Sequence, residues 1–98
     1  MPYDARLAVV KLRIRRTRLE RNLRQEDVAE RLHISLRSYQ RFESQARGKQ
    51  FDPKLTSLLA IAEALRVDVG ELVGAPSQRE LRQVELRLFP IDRVLKQK

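Results

Sequence analysis

The chain has 98 residues, 42% of them apolar, with no cysteine, one histidine (His33) and a net charge of +8, enough for one small domain with little stability to spare. That composition excludes disulfides, thiolate metal sites and a cysteine nucleophile; one histidine is too few for a metal or catalytic centre, so no cofactor and no enzyme activity are expected. No apolar run approaches the ~20 residues that span a bilayer, and Asp4, Arg6 and Lys11 around Leu7 to Val10 do not make a signal peptide, so a cytoplasmic protein with no membrane partner is expected.

Residues 1–10 read as an N-terminal extension. A first helix is expected over residues 11–22, with Leu12, Ile14 and Leu19 apolar and Arg13, Arg15, Arg16, Arg18 and Arg21 around them. Asn22 tolerates the left-handed conformation that ends a helix. A second helix runs from about Gln25 to Leu32, with Glu26 and Asp27 in its first turn, where the helix dipole favours acids. Ser35 suits the N-cap of a third helix over about residues 36–43. Val28, Ala29, Leu32, Ile34, Tyr39 and Phe42 can form one buried seam, which leaves Leu36, Arg37, Gln40 and Arg41 facing outward. Residues 44–52 form a polar, basic loop.

Asp52-Pro53 opens a fourth helix, proline being favoured in the first turn. Leu55, Leu58, Leu59, Ala62 and Leu65 recur there at helical spacing and are expected to be mostly core. Asp68 and Glu71 resemble a capping box on a short fifth helix with Val69, Leu72 and Val73, which Gly74-Ala75-Pro76 ends. The two ends of the chain admit two readings. Ser77-x-x-Glu80 is a second capping box, with Leu81, Val84 and Leu88 on one helical face. Residues 84–88 also alternate with strand period and residues 6–14 are rich in β-branched side chains, so the two ends can instead pair as strands. Pro90 stops either. The expected fold is all-α: a five-helix domain over residues 11–74, then an extension over residues 75–98 that is a candidate dimerisation segment.

Two short helices joined by a tight turn make a helix-turn-helix, and a short helix with Arg and Gln outward has the size and donors for a DNA major groove. Arg37 and Arg41 lie one turn apart and match guanine O6 and N7; Gln40 carries the amide that reads adenine, and Leu36 can touch a thymine methyl. Ser38 can donate to phosphate, as can Arg47 and Lys49 of the loop. Each has a plainer reading as solvated surface. Charge placement favours the nucleic-acid reading: residues 1–50 hold 13 Lys and Arg against 6 Asp and Glu, a balance of +7, while residues 51–98 hold 8 against 7, a balance of +1. Arg outnumbers Lys 16 to 5, which suits bidentate contacts or reflects a general preference for Arg codons.

Over residues 12–73 the order of features resembles the lambdoid phage repressor and Cro-like helix-turn-helix family, the Xre type. The matching stretches are residues 14–18, residues 25–29 opening the second helix, Ser35 through Glu43, Pro53 through Leu65, and residues 67–72. The resemblance implies a five-helix lambda-repressor-like bundle that binds operator DNA, usually as a two-fold dimer. It implies that Gln25 reaches phosphate and braces the recognition helix, and that Arg18 and Glu43 form an ion pair tying the first helix to the third. Three departures stand out. His33 occupies a position often held by glycine and must take positive φ. Arg24 takes the usual Ser or Thr cap position, giving up a cap worth ~1 kcal/mol. The loop between Glu43 and Pro53 is about four residues longer than the common form.

The expected function is a sequence-specific double-stranded DNA-binding regulator of transcription, a repressor, with operator DNA and a second copy of the chain as partners. The alternative is an antitoxin or interaction adaptor on the same fold, with a toxin or other protein as partner.

Overall fold

Arginine, leucine and alanine favour helix strongly enough to carry the β-branched Val9, Val10 and Ile14 along, and the first helix, α1, spans Ala5–Glu20. It therefore begins six residues before the expected start at residue 11 and takes in most of the stretch read as an extension. The computed structural model describes residues 5–45 and 51–88. It continues with α2 (Gln25–Arg31), α3 (Leu36–Gln40), α4 (Leu55–Leu65), α5 (Val69–Val73) and α6 (Gln78–Leu88). Every regular element among these residues is a helix, and the alternative pairing of the chain ends as strands is not formed. Packing decides the matter: Ala8 and Val9 of α1 close with Val84 of α6 into a small core, flanked by Leu12 and Leu81.

The main core lies on the other side of α1. Ile14, Val28, Ala29, Tyr39, Phe42, Ile61, Ala62, Leu65 and Leu72 are buried together, so the seam expected between α2 and α3 is present, with Leu32 and Ile34 half-buried at its edge. The expected core role of Leu55 and Leu59 is not met. They are 65% and 46% exposed: Leu59 lies one residue off the stripe Leu58–Ile61/Ala62–Leu65 and turns outward, and Leu55 is the first residue of the helix. Lys54, not Asp52 or Pro53, is the N-cap of α4.

Three helices end in the same way without glycine. Asn22, His33 and Arg66 have φ of 58°, 57° and 59°. In each case two backbone N–H groups fold back on the last turn: Leu23 to Arg18 and Asn22 to Leu19, Ile34 to Ala29 and His33 to Glu30, Val67 to Ala62 and Arg66 to Glu63. This is the Schellman pattern. The second of these terminations makes the tight turn between α2 and α3. Gly74 does have a steric reason: a Cβ there would lie 2.9 Å from the Gly70 carbonyl oxygen.

Arg13, one of the arginines around the apolar positions of the first helix, is 8% exposed. Its guanidinium donates to both Glu80 carboxylate oxygens at 2.8 Å, to the Leu72 and Gly74 carbonyls at 3.3 and 2.7 Å, and to the Ala75 carbonyl at 2.9 Å. It thus ties off α5 and holds the start of α6. Arg16 adds a contact to Glu80 at 3.2 Å. Glu80 also accepts from the Ser77 N–H at 3.0 Å while Ser77 Oγ accepts from the Glu80 N–H at 3.1 Å, the expected capping box. The hydrogen bond from Arg13, aided by Ser77, holds the Glu80 carboxyl at a pKa of about 2. Among the described residues no helix is long and apolar enough to cross a membrane.

Candidate nucleic-acid interface

Ser35 sets the start of α3. Its Oγ accepts from the Ser38 N–H at 3.1 Å and shares a hydrogen bond of 2.9 Å with the Ser38 hydroxyl. Tyr39 points inward and is fully buried, whereas Leu36, Arg37, Ser38, Gln40 and Arg41 are exposed. The helix is shorter than expected. Beyond Gln40 the chain tightens, with Phe42 and Glu43 donating to carbonyls only three residues back, at 2.8 and 3.1 Å.

The outward face is braced from within. Arg18 Nε and Nη2 donate to the two Glu43 oxygens at 2.7 and 3.1 Å, and Nη1 donates to the Leu23 carbonyl at 2.9 Å. The Tyr39 hydroxyl donates to the same carboxylate. Burial alone would raise the Glu43 pKa, but the hydrogen bonds from Arg18, Tyr39 and Gln25 outweigh it and hold the carboxylate ionised below its ordinary range. Burial, and then the bond to Glu43, push the Tyr39 phenol well above its ordinary value, so it stays neutral. The ion pair implied by the family resemblance is therefore present, with side chains 9% and 3% exposed.

Gln25, half-buried at the start of α2, extends this network to the surface. Its Nε2 donates to Glu43 at 3.1 Å and its Oε1 accepts from Gln40 Nε2 at 3.1 Å. A chain of contacts thus runs Arg18–Glu43–Gln25–Gln40, from the interior to the face of α3. At the same end Arg24 is the N-cap of α2 without a side-chain cap. Asp27 compensates, accepting from the Arg24 N–H at 2.8 Å and meeting its guanidinium at 3.4 Å.

Arg41, at the end of α3, sits over the ring of Phe51 with its guanidinium carbon 4.2 Å from the ring centroid. Phe51 packs edge-on against Phe42, with centroids 5.2 Å apart. Lys11, 2% exposed, approaches the same ring at 5.8 Å. Burial lowers its pKa, the Arg41 charge adds to that, and Asp52 opposes it. Lys11 and Phe51 were not expected at the site. A single aromatic at the end of a polar loop was the available signal for Phe51. Arg47 and Lys49 lie outside the described residues. Of the other expected residues, Leu36, Arg37, Ser38, Gln40 and Arg41 share α3 and its C-terminal turn, and Gln25 abuts them through Gln40.

Several other arginines serve the fold. Arg31 donates to the Ala64 carbonyl at 2.7 Å and Arg21 to the Arg66 carbonyl at 3.4 Å, both at the C-terminal end of α4, where a cation is favoured. A cleft between α1 and the α5–α6 junction is lined by Arg13, Arg16, Ser77 and Glu80, groups that already satisfy one another.

Residues 14–72 match the family model described as helix-turn-helix. Over 85 residues, covering 87% of this chain and 72% of the relative, the sequence is 33% identical to the cryptic phage CTXphi transcriptional repressor RstR of Vibrio cholerae serotype O1. No solved structure matches the chain.

Proposed function

The chain belongs to the helix-turn-helix family of the phage-repressor, Xre type, and is a DNA-binding transcriptional regulator; from that premise we propose that it is a repressor reading one double-stranded operator with the outer face of α3. The observation that carries this reading is the fixed presentation of that face. Ser35 caps the helix, Tyr39 anchors it, and the Arg18–Glu43–Gln25–Gln40 network braces it, while Arg37 and Arg41 remain exposed. Preorganised donors of this kind suit base edges in the major groove.

In this reading Arg37 and Arg41 contact guanine and Leu36 meets a thymine methyl. Gln40 is held by Gln25, so it reads adenine with its remaining donor and acceptor. Ser38, Gln25, Arg47 and Lys49 contact phosphates. The repressor role follows the relative named a transcriptional repressor. One recognition helix covers few base pairs, so two copies are needed across a palindrome about one DNA turn apart, with residues 77–95 contributing to the dimer. Leu86 of α6 and Leu19 of α1, 47% and 53% exposed, offer apolar surface for it.

Competition binding against a randomised operator set tests the assignment. Arg37→Ala and Arg41→Ala each lose ~1–3 kcal/mol and relax preference at one operator position. Arg47→Ala or Lys49→Ala weakens all sequences evenly and lowers the salt slope. If the Arg37 and Arg41 changes weaken all sequences equally, both residues are phosphate anchors and the readout assignment is wrong.

A further inference from the structure

Phe51 meets the core and an exposed arginine at one ring. One edge belongs to the core, against Phe42 with planes at 83°, and Phe51 packs on the main apolar cluster. The ring is only half-buried, and Arg41 occupies its face at 4.2 Å. Core packing accounts for the edge against Phe42 but requires nothing of the face under Arg41. A cation–π contact engages the guanidinium carbon and consumes none of its five N–H donors, so the fork stays available for a guanine edge. Lys11, buried, approaches the same ring at 5.8 Å. Among the described residues Arg37, one turn earlier, has no such ring.

We infer that Phe51 is a positioning residue for sequence reading: its ring holds the Arg41 guanidinium at the end of α3, so that a long side chain is ordered before DNA arrives. The inference rests on the reading of Arg41 as a base contact. It assigns unequal roles to two arginines that look alike in sequence. Arg41 is fixed in advance and discriminates sharply, whereas Arg37 is ordered on binding and pays that entropy at the interface.

The test uses the full-length chain and duplexes it selects from a randomised pool, with single-base variants of the winner as competitors. Phe51→Leu lowers affinity for the selected duplex roughly 3- to 10-fold, the scale of ordering one side chain. It relaxes preference at the base pair that Arg41→Ala relaxes and spares the one that Arg37→Ala relaxes. Phe51→Leu with Arg41→Ala is no weaker than Arg41→Ala alone, and Phe51→Tyr, which keeps the ring, restores wild-type preference. Additive effects of the two changes, or a Phe51→Leu protein with unaltered preference, overturn the inference. If Phe51→Leu does not fold, nuclear magnetic resonance on the wild-type chain decides: the Arg41 Nε–Hε group is expected to be ring-shifted and more rigid than that of Arg37. Equal mobility of the two overturns the inference. An ordered Arg41 whose removal leaves binding unchanged instead overturns the reading of Arg41 as a base contact, and the inference falls with it.

Discussion

Glu43 accepts hydrogen bonds from Arg18, Tyr39 and Gln25 at once, and its side chain is 3% exposed. Glu43→Gln keeps the shape but leaves the Arg18 guanidinium buried without its counter-charge, and this is expected to cost about 3–5 kcal/mol. Urea unfolding measures it; a change below ~1 kcal/mol would mean that the pair does not hold α1 to the helix-turn-helix. Glu80 carries a pH signature. Its carboxyl, at a pKa of about 2 against 4.5 when free, contributes stability that is fully present above pH 4.5 and is lost as pH falls toward 2. Glu43 is shifted in the same direction. The urea midpoint should therefore fall between pH 5 and pH 3, and Glu80→Gln should flatten part of that slope; an unchanged slope would contradict the Arg13 clasp as its source. The Arg18–Glu43 pair was legible through the family resemblance alone, and the outward position of Arg37 and Arg41 through helical spacing. Arg13 was not. Among four other arginines in one helix nothing local marks the one that will find a carboxylate 67 residues away.

At the scale of elements, the Schellman terminations at Asn22, His33 and Arg66 place non-glycine residues in the left-handed region. His33 is exposed, so His33→Gly removes conformational strain with little loss of packing. It should stabilise by up to ~1 kcal/mol, the relief being partly offset by greater freedom in the unfolded chain; destabilisation in thermal unfolding would show that the imidazole makes a compensating contact. His33 and Asn22 could be read from sequence as helix ends, but Arg66 could not, since arginine has no preference for that conformation. The helix-or-strand ambiguity of residues 84–88 was real, because period-2 and helical patterns coexist there; long-range packing of Val84 on Ala8 and Val9 resolves it. The main core is complete without α6. A chain ending at Gly74 is thus expected to unfold cooperatively but at a lower midpoint, since Ala8 and Val9 become exposed and Arg13 loses Glu80. A non-cooperative transition would mean that α6 is integral to the domain.

For the whole molecule, the half-chain balance of +7 overstates the charge turned toward DNA, because Arg13, Arg18, Arg21, Arg24 and Arg31 bond to oxygens of their own chain. Among the described residues Arg37 of α3 and Arg41 at its end stay exposed, as does Arg15 of α1. Log affinity for duplex DNA should still fall linearly with log potassium chloride, but with a slope set by a few phosphate contacts per copy. Sedimentation of the full chain tests pairing: dimers are expected in solution or on operator DNA, and a chain monomeric in both states contradicts the proposed assembly. The family and the helix order were legible because apolar spacing, caps and turn residues agree across residues 12–73. The docking of α6 and the Phe51 platform depend on contacts across the fold and were not. The central claim is that the outer face of α3 reads sequence, and selection of duplexes from a randomised pool by the wild-type chain and Arg37→Ala tests it most directly. The expected result is a defined motif for the wild type that loses preference at one position with Arg37→Ala. No enriched motif, or the same motif from both proteins, would contradict it.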